Sequence, residues 1–322
     1  MTLLSGTPFS IPTCGQQVAG GALGPNYSVP NVEVHHVILV TDATGTIGSH
    51  VVSSLLEQDA AVRVLVRDAD KARALFGGTV DIMSGDMRDA SAVCVALASV
   101  EKILLNSPSL DGFVDLQRPF IDAAEAAGIE HLVRLSVIGA APDATMSYGR
   151  GHFALDEHLK ASTLRWTTLQ PNGFMQNLLR NVETIKVGAI YASAGNGHVA
   201  MIDARDIAEV AASVLTMGGY SGESLVLTGG EAVTYGDVAA AFATELSHDV
   251  QYADVPPEVT RQNLLGFGLP AGQVEDILAL FAIFRAGYAS TVTPTVANVL
   301  GRAPRSLTTF VHDYRLAFTD PA

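Results

Sequence analysis

Cysteine, basic residues and long apolar runs are scarce in this sequence, and each scarcity excludes a class of protein. The 322 residues include two cysteines, Cys14 and Cys94, so we expect neither a disulfide scaffold nor a metal site. The 19 Lys and Arg face 33 Asp and Glu, and a net charge of -14 argues against general nucleic-acid binding. No apolar run reaches the roughly 18 residues that a membrane span needs. The sequence therefore predicts a cytoplasmic protein that binds neither nucleic acid nor membrane.

The first 34 residues differ from the rest because they are rich in Gly, Pro, Ser and Thr. They lack both the basic start and the apolar stretch of a secretory signal peptide. We predict a flexible N-terminal arm over residues 1–34, with packing on a partner subunit as the alternative. Residues 35–322 are predicted to form the folded part, since the 48% of hydrophobic residues are spread evenly along the chain.

From residue 36 onward, short apolar runs alternate with segments of helical periodicity. Continuous β-branched runs are typical of strands that are buried on both faces of a sheet. This alternation predicts the α/β class, a doubly wound parallel sheet of Rossmann-like type. The predicted strands are His36–Thr41, Val62–Val66, Val80–Met83, Lys102–Asn106, His131–Ser136 and Trp166–Gln170.

After Pro171 the alternation loosens. Helices are predicted at 204–216 and 234–246 and over most of 256–290, with a strand at 224–228. We expect residues of approximately 171–322 to form a smaller, mostly helical cap that supplies the substrate-cleft portion of the same domain.

A glycine-containing segment, Thr41–Gly48, connects the first predicted strand to the first helix. Small residues at this point let backbone amides approach a pyrophosphate, and the helix N-terminus adds partial positive charge. Gly45 and Gly48 match that pattern, but Asp42 stands where a first glycine is expected. The Asp42 carboxylate could crowd and repel a phosphate, or it could accept hydrogen bonds from a ribose. The sequence leaves both alternatives open.

Arg67 follows the second predicted strand, at the position that faces the adenosine ribose in dinucleotide-binding folds. An acidic residue there favours a free 2′-hydroxyl, whereas an arginine favours a 2′-phosphate. Arg67 therefore predicts a preference for NADP(H) over NAD(H).

Several segments resemble the NmrA-like group of atypical short-chain dehydrogenases. The segment Val40–Gly48 is similar to the V-T-G-A-T-G-x-x-G start of that group, and the resemblance extends over about residues 36–320. The other matching segments are Gly85–Asp89, Ile129–Ser136, His152–Ser162, Leu169–Asn177, Ile202–Ala208 and Leu227–Gly230.

The resemblance implies a Rossmann-type domain that binds NAD(P)(H). By position, the pyrophosphate would be held by Thr44, Gly45, Thr46, Ile47 and Gly48, and the ribose phosphate by Arg67. Asp86 and Met87 would meet the adenine, and Asn106, Ser107 and Pro108 the nicotinamide ribose. The nicotinamide face would be lined by Pro171, Asn172, Gly173 and Phe174. Asp42 and Gln170 depart from the group's pattern, and Asp42 puts cofactor binding in question.

Tyr148 and His152 are the catalytic candidates. Short-chain dehydrogenases usually use Tyr-x-x-x-Lys, in which the lysine cation lowers the pKa of the tyrosine. Here a histidine has the lysine position, and it would face the same side as Tyr148 if the helix already includes residue 148. The alternative for His152 is a hydrogen bond to a loop carbonyl or to Glu157. Ser136, at the end of the fifth predicted strand, is a further candidate contact.

Three functional hypotheses follow. The first is an NADP(H)-dependent oxidoreductase that reduces a hydrophobic carbonyl, quinone or enone by hydride transfer. The second is a non-redox enzyme on the same fold that catalyses an acid–base cyclisation, dehydration or isomerisation. The third is a nucleotide-sensing regulator that binds a protein partner. The expected ligand is a small hydrophobic substrate, and homo-oligomerisation is left open.

Overall fold

The computed structural model describes residues 36–108 and 112–319. The arm predicted for residues 1–34 lies outside the described residues.

A parallel sheet forms the centre of the fold, and its strands have the order β3-β2-β1-β4-β5-β6-β8. The strand order reverses between β1 and β4, because β2 and β3 lie on one side of β1 and the later strands lie on the other. Ligands of such sheets bind at this switch point, beyond the carboxyl ends of the strands. The strands are β1 (Val37–Thr41), β2 (Val62–Val66), β3 (Asp81–Ser84), β4 (Val100–Leu105), β5 (His131–Leu135), β6 (Arg165–Pro171), β7 (Ala189–Ala192), β8 (Glu223–Leu227) and β9 (Gln251–Asp254).

Helices cover both faces of this sheet. Those with described bounds are α1 (Thr46–Leu56), α2 (Ala69–Phe76), α3 (Ala90–Leu97), α4 (Phe113–Ala126), α5 (Ser147–Ala161), α6 (Val182–Lys186), α7 (Ala204–Met217), α8 (Tyr235–Leu246), α9 (Pro257–Gly266), α10 (Ala271–Arg285), α11 (Thr295–Leu300) and α12 (Leu307–Tyr314). Two short 3₁₀ helices cover Met175–Asn181 and Arg315–Phe318.

The side chains of β1 alternate between two apolar clusters, which is the reason for its uninterrupted apolar sequence. Ile38 and Val40 pack on one face with α1 and α7, and Leu39 packs on the other face with α3, α4 and α5. The predicted doubly wound α/β fold is confirmed.

The C-terminal part of the chain contributes to two structures. Strand β8 pairs with β6 and helix α7 packs on α1, so both belong to the layers of the main sheet. Strands β7 and β9 form a separate parallel pair, whose apolar cluster includes residues of α8, α10 and α12. The helical pattern predicted for 256–290 is divided into α9 and α10, with Gly268 at φ 82° and Pro270 just before α10.

None of the helices in the described ranges is both long and apolar enough to cross a membrane. Within the same ranges, no group of three or more His, Cys, Asp or Glu side chains could hold a metal ion.

Candidate functional site

Thr41 joins the carboxyl ends of β1 and β4 at the switch point. Its hydroxyl donates to the Asn106 carbonyl oxygen at 2.6 Å and accepts from the Asn106 amide at 2.9 Å. Both residues are buried, so the two strand ends are held in a fixed relation. The loop after β1 therefore begins from a rigid base.

That loop leads directly into α1, and close packing requires a glycine at position 48. A Cβ on Gly48 would lie 2.2 Å from the carbonyl oxygen of Asp42, so only glycine fits there. Gly45 is the N-cap residue of α1 and offers no side-chain cap. The amides of the first turn have no intrahelical acceptor, and they are suited to bind an anion. The predicted pyrophosphate segment, which also includes Thr44, Thr46 and Ile47, therefore contains a helix N-terminus that can receive an anion.

Asp42 has an uncommon backbone conformation with φ 51°. Its carboxyl lies over the Cα of Gly45, where an added Cβ would be 2.6 Å from Oδ2. The side-chain amide of Asn106 donates to the same Oδ2 at 3.1 Å. Burial raises the pKa of Asp42 to about 6, and the charges of Arg67 and Lys71 partly oppose this increase. A carboxyl group thus faces the N-terminus of α1, where the pyrophosphate is expected.

The groups predicted for the adenosine end lie at the ends of β2 and β3. Arg67 is exposed directly after β2, as a group that meets a ligand phosphate must be. Asp86 accepts from the backbone amide of Arg88 at 2.8 Å, so its carboxylate stabilises the turn that follows β3. Met87 is half-buried against the cluster under β4 and β5. Only Arg67 of these three presents a free charge toward the loop that contains Asp42.

A buried polar network extends beneath the ends of β4 and β5, and sequence reasoning did not predict its centre. Arg134 is fully buried, donates from Nε to the Gln117 side chain at 2.9 Å, and pairs with Asp156. The Ser136 hydroxyl donates to the second Asp156 oxygen at 2.6 Å, and Gln117 donates to the Ser107 hydroxyl at 2.7 Å. The two predicted serines are thus joined through three residues of β5, α4 and α5.

His152 belongs to the same network. The Arg134 guanidinium donates to His152 Nδ1 at 2.9 Å, because an arginine side chain has no acceptor. Burial, together with the Arg134 charge, lowers the pKa of His152 well below its usual value. The imidazole is therefore neutral near pH 7 and has its proton on Nε2. Nδ1 thus accepts from Arg134, and neither a loop carbonyl nor Glu157, the predicted alternatives, is the partner of this nitrogen.

Helix α5 begins at Ser147 and includes Tyr148, so the two catalytic candidates face the same side. Their rings meet edge to face with centroids 6.3 Å apart. A Cβ on Gly151 would lie 2.6 Å from the Phe113 ring, which packs on His152. Burial, with the charge of Asp276, raises the pKa of Tyr148 above its usual value. The tyrosine is thus a protonated phenol, and among the described residues no cation lowers its pKa as a lysine would.

The segment after β6 brings an apolar helix close to these groups. A Cβ on Gly173 would lie 3.3 Å from the ring of Phe284 in α10. The same helix contacts the start of α5, because Asp276 accepts from the Ser147 amide at 2.6 Å. Helix α10 thus lies beside both Tyr148 and the 171–174 segment, and it provides an apolar wall.

The side chain of Asn172 holds the backbone of the 171–174 segment in place. It donates to the Ala289 carbonyl at 2.8 Å and accepts from the Gly173 amide at 2.8 Å. Pro171 is buried at the end of β6, and Phe174 pairs through its backbone with Ile202. Pro108 is exposed just after β4.

The structure brings most of the predicted site residues to one edge of the sheet, but contacts link only some of them. Asp42 contacts Asn106, and Ser107, Ser136 and His152 share the network of Arg134. Within the described residues, no hydrogen bond joins Asp86, Met87 or Pro108 to that group. The sequence contained one signal of the network, an arginine inside a run that otherwise predicts a buried strand, because a buried arginine requires partners.

Comparisons of the sequence and of the structure with known proteins lead to one family and to related reductases. The model of the NmrA-like family matches residues 35–311. An NAD(P)H azoreductase of Xenophilus azovorans is 36% identical over 283 residues, which are 88% of this chain and 99% of that protein. A (4-alkanoyl-5-oxo-2,5-dihydrofuran-3-yl)methyl phosphate reductase of Streptomyces griseus is 30% identical over 88% of this chain and 99% of its own length. The crystal structure of an NADPH-dependent quinone oxidoreductase from Escherichia coli, complexed with NADPH, superposes with a TM-score of 0.79 at 26% identity and covers 86% of this chain and 99% of its own.

Proposed function

We propose that this chain, which belongs to the NmrA-like family, is an NADP(H)-preferring oxidoreductase that reduces a hydrophobic quinone, enone or related carbonyl compound. The observation that supports this most strongly is the anion cradle, by which we mean the uncapped first-turn amides of α1 and Gly48, which admits no Cβ. The named relatives support the class of NAD(P)H-dependent oxidoreductase.

The dinucleotide would be held by the loop Thr44–Gly48, with Arg67 at its adenosine end. When bound in reduced form, it supplies a hydride. The protein's own groups then have to orient the acceptor, exclude water and provide hydrogen bonds to the atom that gains negative charge.

Tyr148 and His152 are the groups proposed for that last task. Tyr148 keeps its phenol proton near neutral pH because its pKa is raised. The Arg134 contact leaves the His152 proton on Nε2. Both side chains therefore carry a proton that can be donated in a hydrogen bond. This suits a reduction better than a reaction that begins with proton abstraction by the protein.

The apolar wall of α10 supports a hydrophobic substrate. Phe284 is buried and lies against Gly173, and Phe281 stacks edge to face on Phe284. Tyr288 is 79% exposed and does not belong to this wall. Quinones and enones are flat and largely apolar, so apolar surroundings of this kind suit them.

Turnover tests the proposal directly. Purified protein is mixed with NADPH and a naphthoquinone, and NADPH oxidation is followed by absorbance. We expect oxidation that depends on the quinone and that falls by about tenfold to a thousandfold in Tyr148→Phe. Tyr191→Phe, on an exposed tyrosine of β7, is the matched control and should keep full activity. Cofactor binding without oxidation by any quinone, enone or azo compound would favour the regulator hypothesis.

The preference for NADP(H) depends on Arg67, with Lys71 nearby on α2. We expect Arg67→Leu to weaken NADPH binding about tenfold or more and to leave NADH binding nearly unchanged. Arg73→Leu, on the exposed side of α2, is the control and should change neither affinity. Equal losses for the two dinucleotides in Arg67→Leu would contradict a contact with the 2′-phosphate.

A further inference from the structure

Asp42 puts a carboxyl group at the position where an anion is expected to bind. Its oxygens lie over Gly45, the residue that opens α1, and the first-turn amides that would receive a pyrophosphate follow directly. The left-handed backbone at φ 51° and the hydrogen bond from Asn106 fix this direction of the side chain. A negative carboxylate and a negative pyrophosphate at this point would repel each other.

We propose that Asp42 is a cofactor-contacting residue whose carboxyl group takes up one proton from solvent when the dinucleotide binds. The inference rests on the proposed function. In the bound state the neutral acid has an O–H that donates toward the ligand anion, so repulsion is replaced by attraction. The balance is simple: a carboxylate and a solvent proton become a carboxylic acid, and no other bond changes.

The surroundings of the carboxyl favour this protonation. Within the described ranges, the charged groups that act on it are Arg67, after β2, and Lys71, on α2; Asn106, after β4, is neutral. The two cations lower the pKa of Asp42, but burial outweighs them and raises it to about 6. An approaching anion raises the pKa further, because it disfavours the charged form. Arginine and lysine remain charged throughout the relevant pH range.

Calorimetry in buffers of different ionisation enthalpy counts the protons that are taken up on binding. NADH is the suitable probe, since the 2′-phosphate of NADPH itself titrates near pH 6. At about pH 7.5 we expect wild-type protein to take up about one proton per NADH, and Asp42→Asn to take up none. The affinity of the wild type should fall about tenfold per pH unit above about pH 7, and that of Asp42→Asn should stay constant.

Asp59→Asn is the matched control. Asp59 is an exposed aspartate with φ 56° at the other end of α1, and asparagine tolerates that conformation in both places. The control should behave as the wild type does. Equal proton uptake in wild type and Asp42→Asn, with both binding NADH, would overturn the inference and leave the proposed function intact. Failure of all three proteins to bind NADH or NADPH between about pH 6 and pH 8 would overturn the proposed function as well.

Discussion

Two aspartates at the starts of two packed helices have pKa values that are shifted in opposite directions. Asp42 precedes α1, Asp203 is the N-cap of α7, and the two helices lie against each other. Burial raises the pKa of Asp42 to about 6. Burial also opposes ionisation of Asp203, but hydrogen bonds from Arg205 and Gln176 hold the pKa of Asp203 below its usual value.

The two pKa values differ because the two carboxyl groups accept different numbers of hydrogen bonds. Asp203 accepts from the Arg205 amide at 2.9 Å, from the Arg205 guanidinium at 2.6 Å and from Gln176 at 2.8 Å. In the described part of the chain, Asp42 accepts only from Asn106, at 3.1 Å. A helix N-terminus alone does not keep a buried carboxylate charged; direct donors decide its state. Asp203 is therefore structural, whereas Asp42 is left able to change its protonation.

The largest expected effect comes from removing the charge of Asp203. We expect Asp203→Asn to lower the free energy of unfolding by about 2–4 kcal/mol near pH 7, because the buried ion pair with Arg205 is lost and one acceptor oxygen becomes an NH2 donor. Urea denaturation of the wild type and the variant measures this loss. The loss should shrink as the pH falls below about 4, since a carboxylate with a lowered pKa stabilises the fold only while it is ionised.

Asp313→Asn is the control for Asp203. It removes the exposed partner of the same Arg205 and should cost less than about 1 kcal/mol. Equal losses in the two variants would mean that burial and the extra donors of Asp203 contribute nothing.

A smaller effect of opposite sign is expected at Asp42. The folded protein raises this pKa, so the ionised carboxylate destabilises the fold as the pH rises through about 6. Asp42→Asn should therefore be more stable than the wild type by about 1–2 kcal/mol at about pH 8, and the gain should vanish near pH 4. Thermal or urea denaturation of both proteins across this range measures the difference. A gain that is independent of pH would show that the carboxyl does not titrate in the folded state.

Local patterns were sufficient to predict the strands of the main sheet and the glycine-containing loop between β1 and α1, but not β7 and β9. The runs around Leu39 and Val64 are apolar because both faces of the sheet are covered, and this requirement is visible residue by residue. Gly48, in the first turn of α1, meets a local steric need of the same kind. The position of the cradle at the edge of the sheet then follows from the order of strand, loop and helix.

The network of Arg134 could not be predicted in the same way. Gln117 and Asp156 lie 17 and 22 residues from Arg134 in the sequence, and only the packing of α4 and α5 on β5 brings them together. The place of β8 in the main sheet also depends on a distant strand, β6. The residue type alone did not reveal the left-handed backbone of Asp42, whose carbonyl oxygen leaves no room for a Cβ on Gly48.

Calorimetric titration of the purified protein with NADPH and with NADH tests the central claim most directly, because every role assigned at this edge of the sheet depends on a bound dinucleotide. We predict micromolar binding of at least one of them, with NADPH the tighter. Absence of binding by both, at about pH 6 as well as at about pH 8, would contradict the assignment and would point to a non-redox reaction at His152 and Tyr148.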